Sequence, residues 1–194
     1  MNIEYPEGAT PLDQTEALGL KLPHISTREQ LNEWEQGNIL EAETKYFSRK
    51  QKNILSEAFL LRLHGQMFGK VWKWAGKFRT SDKNMGDHHW DVAVKVRGLC
   101  EDAKLWIESG QESADEIAAR FHHRLVFIHP FANGNGRHAR MAADLLLVNV
   151  LKRPRFNWGQ HELEQPGEAR NRYLKALRAA DRKDYALLYE FVRS

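Results

Sequence analysis

Residues 129–140 read His129-Pro130-Phe131-Ala132-Asn133-Gly134-Asn135-Gly136-Arg137-His138-Ala139-Arg140, between two stretches whose apolar residues recur at helical spacing. Two core helices must therefore meet there through a tight, glycine-bearing loop. Pro130 has no N–H and disfavours helical backbone in the residue before it, so the first helix is expected to stop near His129. The second is expected to open near Arg137. His129 then falls at a helix C-terminus, where the partial negative charge favours imidazolium, and histidine titrates near neutrality, which together suit a general base. Gly134 and Gly136 allow close backbone approach, so the N–H groups of Gly134, Asn135 and Gly136 can converge on phosphate oxygens in front of a positive helix N-terminus. Arg137 and Arg140, three apart, add planar forks suited to phosphate. A base, two glycines and two arginines in a dozen positions read as an anion site rather than a plain connector.

The stretch resembles the signature of the Fic/Doc family, His-x-Phe-x-(Asp/Glu)-Gly-Asn-Gly-Arg-x-x-Arg, matching at every specified position but one: Asn133 replaces the acidic residue. The resemblance implies an all-α fold with a small β-hairpin flap and an adenylyltransferase that moves AMP from ATP, with Mg²⁺, onto a Ser, Thr or Tyr hydroxyl of a target protein. It implies that His129 deprotonates that hydroxyl and that Phe131 is buried and fixes the loop. Gly134, Asn135, Gly136 and Arg137 would hold phosphates, and Arg140 the γ-phosphate. Asn133 stands at the family's metal position, where a neutral amide binds Mg²⁺ more weakly than a carboxylate. The turn-rich Thr80, Ser81, Asp82, Lys83, Asn84 and Met85, after Trp74-Ala75-Gly76 and Arg79, resemble the flap that pairs with the target's backbone, with strands expected near Phe78 and after Met85. Tyr173 and Asp181 fall where the family lines its adenine pocket. Gly8-Ala9-Thr10-Pro11-Leu12, Leu63-His64, Met67-Phe68-Gly69 and His122-His123-Arg124-Leu125, with Asn133, look most like the mobile mystery protein B subfamily, whose companion is a helix-turn-helix protein.

The 194 residues suit one domain with a real core, and 42% hydrophobic with 28% charged residues is ordinary for a globular chain. Cys100 is the single cysteine, so no internal disulfide forms; it reads as a buried structural thiol, and a cytoplasmic location is expected. No apolar run is long enough to span a bilayer. Residues 1–46 hold nine acids against Lys21, Arg28 and Lys45, leaving the remainder at +9 within a net +3. The arginines cluster at the motif, so nucleotide phosphate explains the basic excess better than direct nucleic-acid binding.

Residues 1–25, rich in Pro and Gly, read as an extended arm, and 26–194 as a single domain. Ser26-Thr27-Arg28-Glu29 opens a helix near 27–46, Ser48 with Gln51 signals a second through Ile54, Ala58, Leu61, Gly65 and Phe68, and a third spans 92–107. Ser113-Ala114-Asp115-Glu116 opens the helix that delivers His129. Met141, Leu145 and Val148 continue the helix after the motif, Phe156 to Gly159 reads as an extended link, and two helices follow around Tyr173 and Leu187. His88, His89 and His122 lack metal-ligand spacing and read as structural or surface residues.

Many Fic proteins carry an inhibitory Ser/Thr-x-x-x-Glu-Gly/Asn helix whose glutamate pairs with the second motif arginine. The nearest approach here is Leu31 to Gln36, which keeps Glu35 and reads as the polar face of the first helix, so a separate inhibitor or antitoxin protein is the alternative source of control. Two other functions compete: a Doc-like or other-nucleotide phosphate transferase, disfavoured by Gly136 where Doc-like proteins carry lysine, and a non-catalytic nucleotide-binding regulatory module, suggested by Asn133 and opposed by His129.

Overall fold

The computed structural model describes residues 10–160, 163 and 166–194; the first nine residues of the expected arm, with Gly8 and Ala9, lie outside the described residues. Its helices are α1 (Gln14–Ala17), α2 (Arg28–Phe47), α3 (Glu57–Phe68), α4 (Val92–Ser109), α5 (Ala114–Ile128), α6 (Asn135–Leu146), α7 (Glu168–Ala180) and α8 (Ala186–Arg193).

Local side-chain chemistry sets half of the starts, those of α1, α2, α3 and α5. Thr27 accepts from the Gln30 N–H while Gln30 bonds back to the Thr27 N–H, and Ser113 and Glu116 do the same for α5. The cap of α2 is thus Thr27 with Gln30, one residue later than Ser26 with Glu29. Ser48 and Gln51 open no helix: the Gln51 amide donates to the carbonyls of Tyr46 and Arg49, and α3 begins only after Ser56, whose hydroxyl accepts from the Phe59 N–H. The arm also departs from a fully extended path. Asp13 and Glu16 form a reciprocal capping box around the one-turn α1, a short-range signal hidden among prolines and glycines.

The paired helices α5 and α6 form the centre. Ala139, Ala142, Ala143, Leu145 and Leu146 of α6 are fully buried, and a large cluster joins this helix to Leu63 and Met67 of α3 and to Val96 and Leu99 of α4. A second cluster ties Ala118, Ala119 and Leu147 to Ala176 and Ala180 of α7 and to Leu188 and Val192 of α8. After Leu146 the helix widens into a π turn, Leu147–Leu151. The extra residue per turn rotates the register, so Val148, expected on the core face, is 38% exposed while Leu147 is buried. The expected extended link at 156–159 contains a short 3₁₀ turn, Trp158–Gln160. Cys100 is buried, and burial pushes its thiol up to about 12.

No β-ladder forms among the described residues; the sole strand-like contact is the isolated antiparallel bridge between Leu20 and Trp72. Segment 78–87, expected as a hairpin, is an irregular loop wrapped around one buried side chain. Arg79 donates from Nε to the His129 carbonyl (2.7 Å), from Nη1 to the Ser81 carbonyl (2.8 Å) and from Nη2 to the Asp87 carbonyl. Its own N–H donates to the Pro130 carbonyl at 3.0 Å. Carbonyls that a hairpin would spend across a ladder are taken by the guanidinium instead.

Candidate functional site

Helix α5 ends where Pro130 requires, and His129 is its C-cap in the left-handed region (φ 56°, ψ 60°). A histidine adopts that conformation only when its surroundings over-determine it. Here they do: the His129 N–H bonds to the Leu125 carbonyl, its carbonyl receives Arg79, and its ring Nδ1 lies 3.3 Å from the Val126 carbonyl. A carbonyl only accepts, so Nδ1 carries the proton and Nε2 is the acceptor. That acceptor meets the hydroxyl of Thr10 at 2.6 Å.

Gly86 completes the enclosure from the loop side. At φ +94° a Cβ there would stand 2.6 Å from the His129 Cβ, so only glycine lets segment 80–87 lie this close. The ring is 5% exposed. Burial, with the nearby Arg79 and Lys83 charges, lowers the His129 pKa to about 4 against the opposing Val126 contact. The expected preference for imidazolium at a helix C-terminus is therefore reversed, because desolvation outweighs the helix-end charge. His129 is a neutral ring whose acceptor nitrogen is met by the Thr10 hydroxyl.

The loop after it is held from within. Phe131 is fully buried and stacks on His64 with centroids 3.7 Å apart. The Asn135 side chain accepts from the Phe131 N–H and donates to its carbonyl, both at 2.9 Å, so this side chain fixes the loop, and only its backbone N–H belongs to the open end of α6. His64, which the sequence did not single out for a role, donates from Nε2 to the Asn133 carbonyl and accepts the Gly76 N–H on Nδ1. Gly134 takes φ +77° over the face of Phe68, where an added Cβ would stand 2.5 Å from the ring. The first-turn N–H groups of α6, which have no intrahelical carbonyl, thus point to the cavity side of a rigid turn.

A cavity of about 340 Å³ opens in front of this turn, lined by Thr10, Met85, Gly86, His129, Asn133, Gly134, Asn135, Gly136, Arg137 and Arg140, and on its far wall by Arg170, Tyr173, Arg178 and Asp181. Every residue named for catalysis and for phosphate, metal and adenine contact faces this one space. Of the flap residues only Met85 lines it. Thr80, Ser81, Asp82, Lys83 and Asn84 lie outside the lining; Asp82 holds His88 and His89, which keep its carboxyl well below the usual range, and Lys83 pairs with Glu16.

Three partners were not legible in the sequence. Arg137 pairs through Nη1 with Glu35 Oε2 at 2.7 Å and lies over the Phe68 ring. Glu35 is 5% exposed and accepts the Trp72 indole N–H at 2.6 Å, so it belongs to the interior and not to a polar helix face. It meets the first motif arginine, not the second. Arg140 lies over the Tyr173 ring, whose hydroxyl meets His122 Nε2 at 3.0 Å. Asp181 accepts from His123 Nε2 at 2.9 Å, which orients its carboxylate at the cavity wall.

The residues present do not make a Mg²⁺ site by themselves. Asn133 Oδ1 accepts the Gly134 N–H at 2.7 Å and Nδ2 donates to the Thr10 carbonyl at 2.9 Å, so the amide is committed to the loop and the arm. No group of three or more candidate metal ligands occurs among the described residues.

Residues 54–147 match the model of the Fic/DOC family. The chain is 28% identical over 146 residues, 73% of its length, to the protein adenylyltransferase Fic of Drosophila yakuba, and 27% identical over 160 residues to that of Aedes aegypti. It spans less than a third of the length of these curated relatives, 28% and 30%. Among solved structures, the BepC protein of Bartonella tribocorum, with bound AMPPNP, superposes with a TM-score of 0.70 at 17% identity, covering 97% of this chain and 93% of that one. Fic-1 of C. elegans superposes with 0.63 at 24% identity, covering 93% and 53%. The architecture is thus the mainly helical Fic fold.

Proposed function

We propose that this chain, which carries a Fic/DOC family domain at residues 54–147, is a protein adenylyltransferase that moves AMP from ATP to a hydroxyl on a protein. The observation that carries the reading is the acceptor Nε2 of neutral His129, which already meets a hydroxyl, that of Thr10, in a cavity lined by the N-terminus of α6 and two arginines. In this reading the first-turn N–H groups of Asn135 and Gly136 and the side chains of Arg137 and Arg140 hold the phosphates, the Gly134 N–H being taken by Asn133 Oδ1; the Asn135 side chain keeps the turn in shape, and Tyr173 and Asp181 flank the adenine. His129 takes the proton of the attacking hydroxyl while the phosphate's own negative charge favours the imidazolium that forms. Positioning and charge stabilisation supply most of the rate.

Gly136 supports transfer from the α-phosphorus rather than the γ. A Cβ built there would lie 3.7 Å from Arg140 Nη1 and 3.9 Å from the Tyr173 hydroxyl, so a lysine at this position would project into the cavity, and glycine leaves it open. The deciding experiment uses ATP labelled on the α- or the γ-phosphate with purified protein and lysate. Label from the α position supports the reading; label only from the γ position makes the protein a phosphotransferase; nucleotide binding without transfer makes it a regulatory module.

Two finer roles belong to the same reading. Asn133 stands where the Fic signature has an acidic residue, and Asn133→Asp would put a carboxylate there, so this variant is expected to lower the Mg²⁺ concentration for half-maximal transfer several-fold, read by titrating Mg²⁺ against rate. An unchanged midpoint would remove position 133 from metal contact. Glu35 holds Arg137 and sets a buried negative charge behind the phosphate site, so Glu35→Gln is expected to tighten ATP binding several-fold in calorimetry, since the amide keeps the size while removing the charge. Weaker binding would make Glu35 a positioning residue for Arg137 instead of a brake.

We also place the chain near the mobile mystery protein B subfamily on its motif, with 26–194 as the Fic domain, 1–25 as its arm and segment 80–85 as the docking edge for a target. A cytoplasmic setting fits the lone buried Cys100, and among the described residues no helix is long and apolar enough to cross a membrane. A separate inhibitor or helix-turn-helix companion remains part of this proposal, testable by co-purification.

A further inference from the structure

We infer that Thr10 is a self-modification site, the hydroxyl to which the protein transfers AMP within its own chain; this rests on the transferase reading above. A general base acts on a proton within hydrogen-bond reach. The Thr10 Oγ1 lies 2.6 Å from His129 Nε2, and because Nδ1 faces a carbonyl, the hydroxyl is the donor in that bond. The residue is 6% exposed and lines the same cavity as His129 and the residues assigned to the phosphates.

A threonine that merely satisfies a buried ring would need no further placement. Thr10 has it. Its carbonyl accepts from Asn133 Nδ2 at 2.9 Å, so side chain and backbone are both anchored to the 129–134 turn. The arm that follows is fastened to the rest of the fold: the Ser81 hydroxyl donates to Asp13 at 3.0 Å, the Trp74 indole to the Glu16 carbonyl at 3.0 Å, and main-chain bonds of 2.8 Å join Lys21 to Val71 and Lys73 to Gly19. The arm lies on the protein as a docked acceptor segment would, and its hydroxyl arrives at the base. Holding reactant and base together in one chain removes the entropic cost of bringing them together.

In the step, Oγ1 gives its proton to His129 Nε2 and attacks the α-phosphorus of ATP. The Oγ1–phosphorus bond forms as the bond from the α-phosphorus to the bridging oxygen breaks, and pyrophosphate leaves with that electron pair. The imidazolium then returns its proton to pyrophosphate or water. Thr10 is left carrying AMP through a phosphodiester.

The test incubates the full chain with α-labelled ATP and Mg²⁺, with and without lysate, followed by gel autoradiography and peptide mass spectrometry, beside Thr10→Ala, Thr10→Ser and His129→Ala. The expected result is label on the Thr10 peptide, formed at a rate independent of protein concentration, lost in Thr10→Ala and His129→Ala and kept in Thr10→Ser. Label on lysate proteins with none on Thr10 of the wild type overturns the inference and leaves the transferase reading standing. Self-label on Thr10 that rises in proportion to protein concentration overturns transfer within the chain. Absence of label everywhere overturns both. Thr10→Ser retains the hydroxyl at the same anchor, so its labelling separates loss of the acceptor from loss of the arm's fold.

Discussion

Lowering the pH from 7 to 5 lowers the protein's stability markedly. Buried histidine rings cause this. Burial holds His122 at about 3, His129 and His138 at about 4, and His64 well below its ordinary value, so all four are neutral in the fold. Their folded pKa values lie below those of the unfolded chain, so above about pH 6.5 they contribute no pH dependence, and below it the unfolded chain takes up protons that the fold refuses. His122, His129 and His138 then each subtract about 1.4 kcal/mol per pH unit, on the order of 2 kcal/mol by pH 5, and His64 acts in the same direction. Asp144 acts in the opposite direction: burial raises it to about 6 against the bonds from Trp158 and Phe156, so protonation between about pH 6 and 4 favours the fold. One carboxyl returns only about 1.4 kcal/mol by pH 5, and a domain of this kind holds in total about 5–15 kcal/mol. Urea unfolding at half-unit steps from pH 7.5 to 5 measures it, and a stability that stays flat over that range would show that these rings titrate normally in the fold.

On the transferase reading proposed above, replacing His129 by alanine reduces AMP transfer by roughly 10²- to 10⁴-fold, the usual contribution of a positioned base. ATP affinity changes little, because the phosphate contacts proposed for Gly136, Arg137 and Arg140 do not involve the ring. The loss therefore falls on kcat with KM for ATP nearly constant, the pattern of a group that acts in the transition state. The loop keeps its form in the variant: Phe131 stays stacked on His64, Asn135 still ties its backbone, and Arg79 still holds the carbonyl at position 129. Initial rates with α-labelled ATP, with circular dichroism as the control for folding, make the comparison. A variant retaining activity within a few-fold would assign the proton to another acceptor.

The turn between α5 and α6 was readable because its rules act over a few residues. Pro130 stops one helix, Ser113 with Glu116 starts it, and the spacing of His129, Gly134, Gly136, Arg137 and Arg140 puts all five at one helix–helix junction. The same short-range logic failed where two signals competed. Ser48 with Gln51 looked like a start, yet Gln51 bonds backward to the end of α2; Asp13 with Glu16 was a start among residues that usually break helices. Val148 shows a third limit, since a π turn shifts the register that periodicity assumes.

The sequence by itself determined the helical architecture, the junction that forms the site and the residue types that line the cavity, since caps, breakers and helical spacing act within about four residues. Tertiary structure alone decided the state of those residues. Whether His129 is charged depends on what Gly86 and the arm bury around it; what Arg137 holds depends on Glu35 arriving from α2; and segment 78–87 is a loop because Arg79 claims its carbonyls. Thr10 meets His129 across 119 positions of chain. Such contacts depend on how distant helices and loops pack, and desolvation and pairing are set by that packing, so no local pattern carries them.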